Sequence, residues 1–251
     1  MPMKIPSAAD APRRLPSYGS RKRLGMILAS PNTVAEADAV AMLPEDVSLH
    51  TTRLALRGTR ASELQAMAAQ AEEAAGLLAD ARVDLIVFHC TAASTVDPDM
   101  GDRIAGRIHA STGIPATATS QALIAAARRL GLSRIVMLTP YAQEVNDSEV
   151  AFFAHHGVRV LAERGFVPPP GQGSPSASPQ HWLERALASR HPEADGYLLG
   201  CTNIRVVSVI GALEQALGKP VITSNQTMAW HCLRTMGVSD TVPGYGALLR
   251  G

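Results

Sequence analysis

The sequence predicts an α/β protein of two pseudo-symmetric lobes, each a parallel sheet flanked by helices, with a site between them. Three observations predict it. Short apolar runs alternate with helix-length segments from Leu24 onward, the pattern of parallel strands with crossover helices. The stretch Asp84 to Thr91, Asp-Leu-Ile-Val-Phe-His-Cys-Thr, returns as Asp195 to Thr202, Asp-Gly-Tyr-Leu-Leu-Gly-Cys-Thr. Gly113-x-Pro with Ser120-Gln121 returns as Gly218-x-Pro with Asn225-Gln226, at a spacing close to that between Cys90 and Cys201. An internal duplication explains all three.

Residues 1-22, with four prolines and scattered charge, read as a disordered leader; residues 23-134 with 222-251 form an N-terminal lobe, and 135-221 a C-terminal lobe. Leu24-Gly-Met-Ile-Leu-Ala is a buried strand. Thr33 and Glu36 make a capping box for a helix through Met42, which Pro44 stops. Val47 to Leu56 alternates as a second strand, and the alanine-rich run from Ser62 to Ala81 is one long helix. After the Asp84 strand, Asp97-Pro98 places an N-cap and a first-turn proline before a helix to Ala110. Gly113 to Gln121 reads as a strand and Ala122 to Leu130 as a helix. Ile135 opens the second cycle, with a helix over 142–156 and a strand over Val158–Leu161. Phe166 to Pro179, rich in Pro, Gly and Ser, is a loop. A helix over 181–190, the Asp195 strand, a helix capped by Asn203 and running to Leu217, and a last strand after Gly218 complete the pattern.

The composition limits the partners. With 251 residues and 46% hydrophobic content the chain buries a full core. A net charge of +1 gives no footprint for nucleic acid or an anionic membrane surface, and 4% aromatics give few stacking platforms. No apolar run is long enough to span a bilayer. Three cysteines in a chain of this length suit a reducing compartment, so the expectation is a cytoplasmic protein with a small-molecule partner.

Strands that end in Cys-Thr place a thiol and a hydroxyl at the carboxyl edge of a sheet, where open α/β folds bind ligands. The duplication then pairs Cys90 with Cys201, Thr91 with Thr202, Asn32 with Tyr141 and Ser120 with Asn225 around one pocket. Two thiols there can move a proton on each side of a small substrate. A free thiol titrates near 8.5, and helix N-termini after each cysteine are expected to lower it by about 1.5 units. The same N–H groups would receive a carboxylate. Tyr141 and Asn32 are candidate donors to that carboxylate. Cys232, with no counterpart in the other half, is expected in the core, and His89 is expected to point away from Cys90. No metal-ligand spacing and no glycine-rich phosphate loop is present, so neither a metal nor a cofactor is expected.

These residues resemble the aspartate/glutamate racemase superfamily, and within it the branch of maleate cis-trans isomerases and arylmalonate decarboxylases. The resemblance rests on Ser30-Pro-Asn-Thr33, Cys90-Thr91, Leu138-Thr-Pro-Tyr141, Cys201 and the terminal Val242-Pro-Gly-Tyr-Gly-Ala-Leu-Leu. It implies a cofactor-independent homodimer acting on a small carboxylic acid. It implies Cys90 as the nucleophile toward a cis double bond, Cys201 as the acid/base opposite, and Asn32 and Tyr141 as carboxylate holders. Maleate isomerases carry a further asparagine about where this chain has Phe166 to Gly173, which contains none, and Gly200-Cys-Thr-Asn203 is closer to the racemases. Decarboxylases of the branch keep the equivalent of Cys201 but typically lack that of Cys90. A decarboxylase or racemase on the same scaffold therefore stands as the alternative, with an inert small-acid binder as a third.

Overall fold

The computed structural model describes residues 18–169 and 172–251, so most of the expected leader lies outside the described residues. The first half runs β1 (Lys22–Ala29), α1 (Ala35–Met42), β2 (Val47–Leu54), α2 (Ala61–Ala68), α3 (Ala71–Asp80), β3 (Leu85–His89), α4 (Thr91–Ser94), α5 (Met100–Thr112), β4 (Ala116–Ala118) and α6 (Thr119–Arg129). The second runs β5 (Arg134–Thr139), α7 (Gln143–His155), β6 (Arg159–Gly165), α8 (Pro179–Ala188), β7 (Gly196–Leu199), α9 (Ile210–Leu217), β8 (Val221–Thr223), α10 (Ser224–Thr235) and α11 (Gly246–Leu249). Both sheets are four-stranded and parallel, ordered β2-β1-β3-β4 and β6-β5-β7-β8. The shared order is the duplication expressed as topology. Among the described residues no helix is long and apolar enough to cross a membrane.

The aspartates that open the two repeated stretches have a common role at the amino ends of the sheets. Asp84 accepts from Arg23 N and Lys22 Nζ, fixing β3 beside β1. Asp195 accepts from Arg134 N, its guanidinium and Ser133 Oγ, fixing β7 beside β5. Each pair of central strands thus starts in register, and the cysteines six residues on emerge together at the far edge.

α10 joins the two lobes. Its Met228, Cys232 and Leu233 are buried with Leu24, Met26 and Leu28 of β1, while Ala229 and Trp230 are buried with the β5–β8 core. Cys232 is fully buried, as core packing requires. The expected boundary at 221/222 falls inside β8, whose Val221–Thr223 pairs with β7.

Several local expectations change. The run from Ser62 to Ala81 is two helices, because the chain turns at Ala69–Gln70 and Arg107 of α5 takes the freed Ala68 carbonyl while pairing with Glu72. The strand expected over Gly113 to Gln121 is only Ala116–Ala118, and α6 starts at Thr119, so Ser120 lies in a first helical turn. Asp97 caps no helix; it accepts from Asp99 N in a turn, and α5 begins at Met100. The strand expected over Val158–Leu161 runs on to Gly165. Ser178 and Pro179 cap and open α8, two residues before the expected start.

Candidate active site

The carboxyl ends of β1, β3, β5 and β7 converge on one cavity of about 130 Å3, roughly the size of one that holds a benzene ring. Its polar lining includes Cys90, Cys201, Asn32, Tyr141, Thr202 and Ser174; Leu56, Leu64 and Ala92 supply an apolar wall. Among the described residues lining it none carries a positive charge. The two thiols are 6% and 7% exposed, so both are buried.

Each thiol has one backbone donor. The Ala93 N–H faces Cys90, and Asn203 N donates to Cys201 Sγ over 3.3 Å. The Tyr141 phenol also sits against Cys201. The lowered thiol pKa expected from helix N-termini is corrected here. Burial pushes Cys90 up to about 11 and Cys201 up to about 12. α4 is a single turn of four residues, and after Cys201 nothing helical begins until the 3-10 turn at Val207–Val209. One N–H per sulfur does not offset desolvation of the anion. Burial likewise pushes the Tyr141 phenol well up, so it rests as a neutral donor.

Asn32 caps α1 in place of the expected Thr33–Glu36 box: its Oδ1 accepts from Val34 N and Ala35 N over 3.0 and 2.9 Å. Glu36 instead pairs with Arg53 and Thr51 of β2. Asn32 Nδ2 crosses to the other lobe and donates to Thr202 Oγ1 at 2.9 Å and to its carbonyl at 3.1 Å. Thr202 itself lines the cavity. Asn203, expected to cap a helix, staples the same loops, accepting from Thr33 N and donating to the Pro31 carbonyl. The helix it was expected to open begins at Ile210.

Three of the expected residues stand outside the lining. Thr91 Oγ1 donates to Ser224 Oγ, which also accepts from Cys201 N, so one hydroxyl of α10 ties the ends of β3 and β7. Asn225 lies behind Thr202: its Nδ2 donates to Asp38 Oδ2 at 2.6 Å and to the Thr202 carbonyl, and its Oδ1 receives His89 Nε2 at 2.9 Å. His89 is thereby turned away from the pocket, and burial holds it neutral, down to about 4. Ser120 opens instead on a separate crevice with Gln121, Arg128, His156 and His231. Ser120 is the second residue of α6, which follows β4 directly.

Sequence reasoning missed Ser174, Asn203, Leu56, Thr59 and Leu64 as lining residues. Asn203 had a signal, since it follows Cys201-Thr202 directly. Ser174 sits in the loop after β6, where no local pattern fixes which side chain turns inward.

With the geometry in view, the likeness to known proteins is specific. The sequence model of the arylmalonate decarboxylase family matches residues 24–249. A maleate isomerase of Geobacillus stearothermophilus is 25% identical over 244 residues, covering 91% of this chain and 97% of that protein. An arylmalonate decarboxylase of Bordetella bronchiseptica is 31% identical over 144 residues, 55% of this chain and 59% of that one. A variant of the maleate isomerase of Pseudomonas putida S16, solved with maleate, superposes with a TM-score of 0.87 at 25% identity, over 92% of this chain and 98% of that one. The family match runs from β1 to α11 and takes in both cysteine strand ends and the loops stapled between them, which places the chain in the arylmalonate decarboxylase family.

Proposed function

We propose that this protein is a cofactor-independent cis–trans isomerase of a small unsaturated dicarboxylic acid, maleate-like, with Cys90 as nucleophile and Cys201 as acid/base. The observation that carries it is the pair of cysteines at equivalent strand ends lining one small cavity. The Cys90 thiolate adds to one carbon of the cis double bond, forming a C–S bond, while the Cys201 thiol gives its proton to the neighbouring carbon. The former double bond is then single and rotates. The Cys201 thiolate removes the same proton, the C–S bond breaks, and the trans acid leaves with the Cys90 thiolate and the Cys201 thiol restored. Tyr141 and Thr202 donate to the substrate carboxylates, and Asn32 holds Thr202 in place. Thr91, Ser224 and Asn225 position the strand ends from behind.

The matched maleate isomerases support this reading. Decarboxylation needs one proton delivered to one face, for which Cys201 suffices, whereas isomerisation uses both thiols. The family match keeps decarboxylation as the second reading. We read the enzyme as cytoplasmic and homodimeric, the latter on the resemblance to the superfamily; sedimentation of the purified chain tests the dimer.

Proton NMR of the protein with maleate in deuterated buffer tests the activity. Fumarate is the expected product, and Cys90→Ser and Cys201→Ser each reduce its rate by at least about a hundredfold. Loss of carbon dioxide from a substituted malonate, retained in the Cys90→Ser variant and absent in Cys201→Ser, is the outcome that overturns isomerisation in favour of decarboxylation.

A further inference from the structure

α7 turns Val145, Asn146, Glu149, Phe152 and Phe153 inward, the spacing of a core-facing helical stripe. One of its two polar members has partners: Asn146 accepts from Thr139 Oγ1 and donates to Glu163. Glu149 is the exception. It is 0% exposed, and neither carboxyl oxygen has a hydrogen-bond partner among the described residues. Its Oε2 lies 3.4 Å from the point a Cβ on Gly200 would occupy, and Gly200 is bonded to Cys201. Bond lengths along that path put the Cys201 sulfur within about 12 Å of the carboxyl. The titratable groups facing Glu149 are Cys90 after β3, Tyr141 before α7, Cys201 after β7 and Glu163 on β6. Glu163 is acidic, and no cation among the described residues offsets it.

We propose that Glu149 is a positioning residue for the two-thiol site: as the neutral acid it leaves Cys90 and Cys201 able to ionise, and as a carboxylate it suppresses both, setting an alkaline ceiling on the site. The inference rests on the two-thiol reading of the cavity. Burial, with Glu163 adding to it, pushes Glu149 up to about 8, so the acid is neutral at pH 7 and ionises just above. A charge within about 12 Å, at an effective dielectric of about 20, moves a neighbouring thiol by about one pH unit or more. The structural alternative, a carboxyl that only fills space behind Gly200, predicts no such coupling.

The test follows alkylation of Cys201 by iodoacetamide between pH 6.5 and 9.5, read by mass spectrometry of the modified peptide, in the wild type, Glu149→Gln and Glu149→Asp. Glu149→Gln keeps the shape and cannot ionise. Its rate relative to wild type is expected to climb from near unity at pH 7 to about tenfold at pH 9, while Glu149→Asp keeps the suppressed profile. Glu149→Leu serves where the glutamine variant does not fold, with the same expectation. Parallel profiles for wild type and the neutral variants overturn the inference, even if maleate is isomerised. A climbing ratio sustains it even if no turnover of maleate is found, so the two readings fail separately.

Discussion

Cys201 combines a chemical demand with a backbone one. Its φ is +134°, in the region that favours glycine, and it is one of two non-glycine residues with positive φ among the described residues. Such a conformation costs about 1–3 kcal/mol and persists where the surroundings enforce it. Here Ser224 Oγ holds its N–H and Asn203 N its sulfur. Replacing the thiol therefore separates strain from function. Cys201→Gly and Cys201→Ala are both expected to lose turnover, but the glycine variant should be the more stable by about 1 kcal/mol in urea melts, since only it relieves the φ. Equal stability would mean that the fold imposes no strain at this residue. The cysteines themselves were plain in the sequence, because the duplication printed them twice. Their acidity was not, because it depends on how far the chain closes over them and on helices that turn out to be one turn long or absent.

At the scale of elements, the first turn of α10 has diverged from that of α6, its counterpart in the duplication. Asn225 satisfies His89, Asp38 and Thr202 at once, whereas Ser120 of α6 contributes its backbone N–H to Ser94 Oγ. The sequence made the two positions look equivalent, and in the fold both are the second residue of a helix that follows a three-residue strand, yet neither lines the cavity. Asn225→Ala is expected to cost about 2–4 kcal/mol, because it leaves several buried polar groups without partners. Ser120→Ala is expected to cost less than about 1 kcal/mol. Urea unfolding of the two variants measures the difference, and similar losses would show that the α10 network carries no special share of stability. Helix and strand identity was legible from periodicity almost throughout. The break between α2 and α3 was not, since alanine offers no stop signal and the turn is fixed by Arg107 from another element.

For the whole molecule, the buried ionisable groups divide the pH axis into separate windows. His89 is held down from 6.5 to about 4, so it withdraws stability as pH falls below 6.5 and none above. Burial raises Asp38 to about 6, partly countered by its Asn225 hydrogen bond, so it withdraws stability as pH rises from its ordinary 3.8 to about 6 and no further. The raised thiols begin to act only as pH approaches 9, where the unfolded chain releases its thiol protons. Between pH 6.5 and 8 the remaining shifted group is Glu149. The unfolded chain has already released that proton, near 4.5, while the folded one keeps it to about 8. Its native pKa lies above its unfolded value, so stability falls as pH rises through this window, by about 1.4 kcal/mol per pH unit and about 2 kcal/mol in all. Thermal melts of the wild type should therefore drop by about 4–8 °C from pH 6.5 to 8, and those of Glu149→Gln should stay level. A level wild-type curve, or an equal drop in the variant, would show that Glu149 is not the proton holder of the fold. The same measurement bears on function, because a carboxyl that the fold keeps protonated at pH 7 is one whose charge the neighbouring thiols do not yet feel.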